Sequence, residues 1–293
     1  MLDEKHPQLP MGAGDNNNYS FGRIKNHNIV ITSLPDDGYG KANAAFVALN
    51  MYRTFPSLQE FLMVGIAGGA PINADVRLGD VVVSTKIHEY DLGKALSEGR
   101  FEPTAIQLRP SQGLRMAVTA LRADHESQPS RIPSILSQMA KDNQHMERYA
   151  SRKPLQDNLF DSGYAHPESA RSCDNCDRSK LVKREKRNDD HPRIHYGIIA
   201  SGDQVIKSAE TRDKLAKRCN ALCFEMEAAG FTESLQCLVI RSICDYSDSH
   251  KNDQWQRYAA ATAAAYTKEL LCVMASPEVT KSRVDKGLYE KGA

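Results

Sequence analysis

Apolar residues along the chain fall into two alternating patterns, short continuous runs and stripes at helical spacing. The run at 28–34, NIVITSL, is rich in β-branched residues and ends in the turn-forming PDDGYG, so a strand is expected there. Residues 41–54 then set Ala44, Ala45, Val47, Ala48 and Met51 on one helical face, up to Pro56. FLMVGIAGGAP (61–71) is an apolar run that closes on glycines, and LGDVVVSTKIHEYDLG (78–93) reads as a strand with a polar continuation. A helix is expected at 111–124, a strand within PRIHYGIIASGDQVI (192–206), and a helix at 210–219. ALCFEME (221–227) reads as a strand, AAGFTESL (228–235) as a short helix, and 237–248 as a strand. The alanine-rich stretch 254–275 is a helix on propensity alone.

Strands that alternate with helices, several of them apolar throughout, predict an α/β fold. Its expected core is a central mixed, mostly parallel sheet with helices on both faces. Residues 125–191 break the pattern: they are rich in Ser, Asn, Asp, Arg, Lys and Pro, with one amphipathic piece near Ile132–Met139. So long a stretch inside one domain reads as an insertion rather than a boundary. The expected organisation is a single domain, 1–275, followed by a charged tail at 276–293, and no internal repeat is found.

Composition narrows the function classes. The 293 residues fit one large domain, and 38 basic against 37 acidic residues give no electrostatic reason to expect nucleic acid or an anionic membrane. No stretch reaches the roughly 18 apolar residues of a membrane span. The N-terminus MLDEKHPQLP has no signal-peptide core. Seven cysteines, including Cys223, Cys237, Cys244 and Cys272 in apolar runs, match a reducing compartment, so a cytoplasmic protein is expected.

In an open α/β sheet, ligands bind beyond the carboxyl ends of the strands. Those ends carry Gly65-Ile66-Ala67-Gly68-Gly69, Ser201-Gly202-Asp203, Glu225-Met226-Glu227, and Asp245 with Ser247 and Asp248. The set contains glycines that admit close approach and carboxylates that accept hydroxyls, but no cluster of Lys or Arg. A neutral polyol such as a nucleoside fits better than a phosphate-rich ligand.

The motifs VGIAGGAP…DVRLGDVVVS, YGIIASGDQVIK, CFEMEAAG and IRSICDYSDSHKNDQWQRYAAATAAAY span nearly the whole chain. Together they resemble the purine nucleoside phosphorylase / uridine phosphorylase superfamily. Within it they are most similar to a fungal branch whose domains are often fused to signalling NTPases, and the CDNCD of the insertion fits that branch too. The resemblance implies roles residue by residue. Glu227 would accept the ribose 2′- and 3′-hydroxyls while Met226 packs on the sugar. Phe224 would line the base pocket, with Ile199 and Ala200 as its other wall. Asp245 would give a proton to the leaving purine, which asks for a raised pKa. The loop Gly65, Ile66, Ala67 and Gly68 would face the nucleophile. Phosphorylase relatives hold phosphate with an Arg and a Ser where this chain has Met63 and Ile66, so a nucleosidase is favoured over a phosphorylase. MLDEKHPQLP matches the helix after the first core strand of relatives, which leaves that strand and its water-activating Glu missing. Glu4 does not match that position. A catalytically impaired nucleoside-binding module is the expectation this supports instead. The resemblance also implies a homo-oligomer, no metal and no organic cofactor, with phosphate only as a co-substrate if the enzyme is a phosphorylase.

Each residue also has a plainer reading. Glu225 is expected to pair with a neighbour such as Arg241, Glu227 to be a first-turn acid favoured by a helix dipole, and Asp245 to form a turn with Asp248. Cys173-x-x-Cys176 would make half a zinc site with His166 or His191, but a second ligand pair at a clean spacing is lacking, so no metal is expected. The KREKR run (183–187) reads as a solvated loop face, Trp255 as a packing anchor, and His88 and Tyr90 as core or subunit contacts.

Overall fold

Prolines and one tight turn set the first structure in the chain. In the computed structural model, which describes residues 1–275 other than 13, 98–99, 105–106, 168–171 and 232–234, β1 (Glu4–His6) pairs antiparallel with β2 (Ser20–Ile24). A two-residue turn at Lys25 and Asn26 then leads into β3 (His27–Ile31). The helix expected across MLDEKHPQLP is therefore replaced by a strand. Pro7 and Pro10 remove amide donors, and a residue before proline is pushed out of the α region, so His6 ends a strand instead. β2 escaped the sequence reading because the turn lacks the usual Asn-Gly: Lys25 itself takes the positive φ of 50°.

Apart from the short elements Gly93–Ala95, Phe101–Pro103 and Glu147–Ala150, which the pattern does not mark, the remaining elements follow the hydrophobic pattern. They are α1 (Lys41–Thr54), β4 (Leu62–Gly69), β5 (Val81–Glu89), the small hairpin β6 (Gly93–Ala95) with β7 (Phe101–Pro103), and α2 (Gln112–Ser127). Next come α3 (Ile132–Asp142), α4 (Glu147–Ala150), β8 (Ile194–Ser201), α5 (Ala209–Cys219), β9 (Ala221–Glu225), β10 (Leu238–Asp245) and α6 (Gln256–Val273). Ser208 caps α5 by accepting the Thr211 amide at 3.2 Å, and Asn220 ends that helix in the left-handed region. AAGFTESL forms only a single 3-10 turn, Ala228–Gly230, among the described residues. No helix of the described residues is long and apolar enough to cross a membrane.

The sheet is mixed, as expected, but it is not open. Its five long strands close into a barrel in the order β10-β4-β9-β8-β5. The β10–β4, β5–β8 and β8–β9 pairings are parallel, and β10–β5 and β4–β9 are antiparallel. Closure depends on two features that hydrophobicity does not encode. β5 pairs along both edges, with β8 over its whole length and with β10 through Val81, Val82 and Val83. β9 touches β4 only at Gly68 and Gly69, where missing side chains let two backbones approach closely. Apolar runs buried on both faces look the same in a barrel and in a covered open sheet.

Val81, Val82, Val83, Ile199, Ile240 and Ile243 are fully buried inside, and α6 lays Ala259, Ala263, Tyr266 and Leu270 against them. Trp255 is buried and gives its indole N–H to the Gln156 carbonyl at 3.1 Å, so it is an anchor as expected. The stretch 125–191 contributes to this core: Ile132, Leu136 and Leu159 are buried in it. Nor is KREKR simply solvated. Arg184 pairs with Asp157 at 3.0 Å and donates to the Tyr246 hydroxyl at 2.8 Å, while Arg187 holds both oxygens of buried Asp80 at 2.6 and 2.7 Å. Two of its cations thus answer carboxylates that sequence spacing could not place near them.

Burial alone would raise the Asp80 carboxyl, but hydrogen bonds from His195 (2.9 Å) and Arg187 outweigh it and hold its pKa below the usual value. A carboxyl lowered in the folded state stabilises above its unfolded pKa, and that contribution fades as pH falls through the folded one. Asp80→Asn is expected to cost about 3–5 kcal/mol at neutral pH and to flatten the loss of stability below about pH 4. Urea unfolding at pH 7 and pH 3 measures both effects.

Candidate active site

The carboxyl ends of β4, β9 and β10 converge because of their register. Asp245 of β10 lies opposite Gly68 of β4, Gly68 lies opposite Phe224 of β9, and Phe224 lies opposite Ala200 of β8. Four of the residues singled out in the sequence are thus neighbours across consecutive strands. Asp245 follows an irregularity at Cys244, where two residues of β10 span one step of β4. Such a bulge re-aims the side chain that follows it.

The loop after Asp245 is locked by that carboxylate. Its Oδ1 accepts the Ser247 amide at 2.8 Å, and Ser247 takes a positive φ of 51°, unusual for a residue with a side chain. Lys251 Nζ lies 3.2 Å from Oδ2, and the Cys244 thiol donates to the same oxygen at 3.3 Å. Asp245, Ser247 and Asp248 are all buried. Asp248 faces Arg212 at 3.7 Å, and burial raises its pKa. The expected turn between Asp245 and Asp248 therefore exists, and the carboxyl of Asp245 remains at its head.

The second acid pair answers to one arginine. Buried Glu225 hydrogen-bonds the guanidinium of Arg241 and accepts the amides of Glu227 (3.2 Å) and Ala228 (3.0 Å). It is fully satisfied inside the protein, as the plainer reading held. Glu227 is half-buried: Arg241 reaches it at 3.1 Å, and the Gly40 amide at the start of α1 also donates to it. Burial pushes the Glu227 carboxyl up, and the nearby Glu225 charge adds to this, against the pull of Arg241. Room for Arg241 comes from Gly65, its register partner on the neighbouring β4: a Cβ there would sit 2.3 Å from Nη1.

Met226 is half-buried beside this pair, and Ile66 and Ala67 continue β4 between Gly65 and Gly68. Ile199 and Ala200 are adjacent in a strand and point to opposite faces. Ala200 packs in a small cluster with Phe224 and Tyr90, whose rings meet edge-on at 5.6 Å, whereas Ile199 belongs to the main core. His88 lies opposite Ala200; neither of its ring nitrogens has a partner among the described residues, and burial lowers its pKa. A cavity of about 320 Å³ lies behind the 228–231 turn, lined by Ile87, Leu108, Phe231 and Cys237, and neither Asp245 nor Glu227 borders it.

Sequence reasoning missed the contribution of α1. Lys41 at its start bonds Glu89 (2.7 Å) and Asp91 (3.0 Å), and its amide is held by Asp203 at 3.1 Å. The signal was the glycine of GYGK just before the helix: Gly40 has φ 99°, which lets the chain turn in beside Glu227.

A profile of the family described as "Phosphorylase superfamily" matches residues 3–271. The chain belongs to this superfamily. It is 38% identical over 289 residues to a nucleotide-binding leucine-rich repeat (NLR)-like protein of the fungus Hyaloscypha variabilis, covering 96% of this chain but spanning only 28% of that protein. It is 22% identical to the 5'-methylthioadenosine/S-adenosylhomocysteine nucleosidase of Mycobacterium tuberculosis, over 92% of this chain and 88% of that one. Among solved structures, the 5'-methylthioadenosine/S-adenosyl homocysteine nucleosidase of Helicobacter pylori superposes with a TM-score of 0.55 at 20% identity, over 92% of this chain and 90% of that one. The likeness in structure establishes the α/β fold of these nucleosidases.

Superfamily membership makes Gly68 an informative position. A Cβ there would lie 2.0 Å from Ser247 Oγ and 2.7 Å from Asp245 Oδ1, so the bulged loop needs the bare backbone. Gly68→Ala is expected to displace Asp245 and its loop and to cost about 1–3 kcal/mol of stability by overpacking. Urea unfolding of the variant beside the wild-type chain measures it.

Proposed function

We propose that the chain cleaves the N-glycosidic bond of a purine nucleoside by hydrolysis. The observation that carries the reading is the register that sets Asp245, Gly68 and Phe224 side by side, with Glu227 two residues beyond the end of β9. In this reading Glu227 accepts the ribose 2′- and 3′-hydroxyls and Met226 packs on the sugar. Phe224 and Ala200 bound the base, while Ile199 supports them from the core side. Asp245 donates a proton to the leaving base, and the ammonium of Lys251 at 3.2 Å is a proton source for it. A base that departs neutral, and a sugar cation faced by the Glu227 carboxylate, lower the barrier as in other glycosyl transfers. Water reaches the sugar beside Gly65, Ile66, Ala67 and Gly68.

Hydrolysis is favoured over phosphorolysis by the state of the nearby cations. Arg241, Lys41 and Lys251 each end on carboxylates, and Met63 and Ile66 supply no donor from β4. The alternative of a phosphorylase yielding ribose 1-phosphate needs a phosphate site made from other groups. Assembly as a homo-oligomer belongs to the same proposal, and light scattering that returned only monomer would contradict it. A second reading, a nucleoside-binding module without turnover, is favoured by the relative in Hyaloscypha variabilis, of which this chain matches 28%.

Chromatography of adenosine, inosine and guanosine incubated with the protein, with and without phosphate, tests the proposal. Base released equally under both conditions supports hydrolysis. Release only with phosphate overturns it in favour of phosphorolysis. Calorimetric binding of a nucleoside without any release supports the non-catalytic module.

A further inference from the structure

Described residues between 157 and 187 pack onto the loop that follows β10, and their contacts gather around one imidazole. His250 is 7% exposed and stacks on Phe160 with ring centroids 4.1 Å apart. The His166 ring meets it edge-on at 5.4 Å. The His166 amide donates to Ser249 Oγ at 2.9 Å, and the Cys173 thiol lies 3.7 Å from the His250 carbonyl. Beside these contacts, one ring nitrogen of His166 and the sulfurs of Cys173 and Cys176 all lie within 4.8 Å of one another, and both cysteines are free thiols. Around a bound tetrahedral zinc ion such ligand atoms are roughly 3.3–3.8 Å apart, so a small inward movement completes three bonds. The buried Nε2 of His250 has no partner among the described residues. His250 lies outside the group of three, so it would complete the site only by moving toward the ion.

We propose that His166, Cys173 and Cys176 bind a zinc-class divalent cation, with His250 as the fourth ligand, and that the ion fastens this stretch to the loop carrying Asp245. Two thiolates and imidazole select a soft or borderline metal over magnesium or calcium. Four protein ligands make a closed, structural site rather than one that activates water. The stretch has reason to need it. Arg, Lys, Asp and Ser dominate its composition, and a segment poor in apolar residues gains from a metal what a core does not supply. His250 is five residues beyond Asp245, so the ion would set the far end of the loop that Asp245 locks at its near end. The inference stands apart from the nucleosidase reading, because the ion takes no part in bond cleavage.

The test is metal content, measured on the full chain without a polyhistidine tag after extensive dialysis. About one zinc per chain is expected, with the two thiols protected from alkylation until a chelator is added. Replacement by cobalt(II) should give the intense visible bands of a tetrahedral site and a thiolate charge-transfer band. Cys176→Ser should lose that band and bind zinc at least tenfold more weakly, and His250→Gln should weaken binding while keeping the band. If Cys176→Ser fails to fold, cobalt titration of the wild-type chain decides alone. Metal-free protein with freely reactive thiols in the presence of zinc would overturn the proposal, as would a disulfide between Cys173 and Cys176 in freshly isolated protein. Neither result depends on nucleoside turnover.

Discussion

Asp245→Asn is expected to release base from a purine nucleoside about 10²- to 10⁴-fold more slowly than the wild-type chain while melting at nearly the same temperature. The asparagine keeps an oxygen for the Ser247 amide, which Asp245 accepts at 2.8 Å, so the loop retains its turn. It loses the ability to hand a proton to a leaving group and its ion pair with Lys251. That pair is half-exposed on the lysine side and adds little to stability. If the loss falls on kcat with KM nearly unchanged, the carboxyl acts in the transition state rather than in binding. Equal turnover by the variant would remove Asp245 from the chemistry.

Arg241→Met is expected to cost about 3–5 kcal/mol of stability, the usual price of leaving a buried charge without its partner. Arg241 is buried and serves both Glu225 and Glu227, and its loss strands two carboxylates at one barrel end. Glu225 would keep the amides of Glu227 and Ala228, which limits the damage. The pH dependence has a definite sign. A carboxyl raised in the folded state binds its proton there more tightly than in the unfolded chain, so stability falls as pH rises from the unfolded toward the folded value. Glu227 already behaves this way, and without Arg241 the effect should grow. Urea unfolding between pH 4 and pH 8 should show the variant recovering stability on acidification. A variant as stable as wild type at pH 8 would mean that the two acids find another partner. The double variant Arg241→Met, Glu225→Gln should regain part of the loss, because the charge most deeply buried is gone with its partner.

Much of this was legible in the sequence because burial writes itself into periodicity. The valines of β5, the glycine-ended run of β4 and the alanine face of α6 are positions where one apolar pattern fits one element. Glu225 and Arg241 were paired on paper since buried charges require partners. Barrel closure was not legible, because it depends on which strand edges meet, and Val81–Val83 look alike whether one edge or two are paired. β1 and β2 were missed because a Lys-Asn turn carries no turn signature. Arg187 lies 107 residues from its partner Asp80 along the chain, and no local pattern links them. Ile199 and Ala200 were read as one wall, though strand alternation sends them to opposite faces. The spacing of Cys173 and Cys176 allowed His166 or His191 as a neighbour, and it took the fold to bring His166 beside them.

The measurement closest to the central claim is the fate of oxygen when a purine nucleoside is cleaved in ¹⁸O-labelled water, with phosphate present. Hydrolysis at the Asp245 site predicts free base together with ribose that carries one labelled oxygen at C1 formed by the enzyme, corrected for exchange by a short time course, and no ribose 1-phosphate. Ribose 1-phosphate as the sugar product would contradict the account, and so would a folded protein that releases no base.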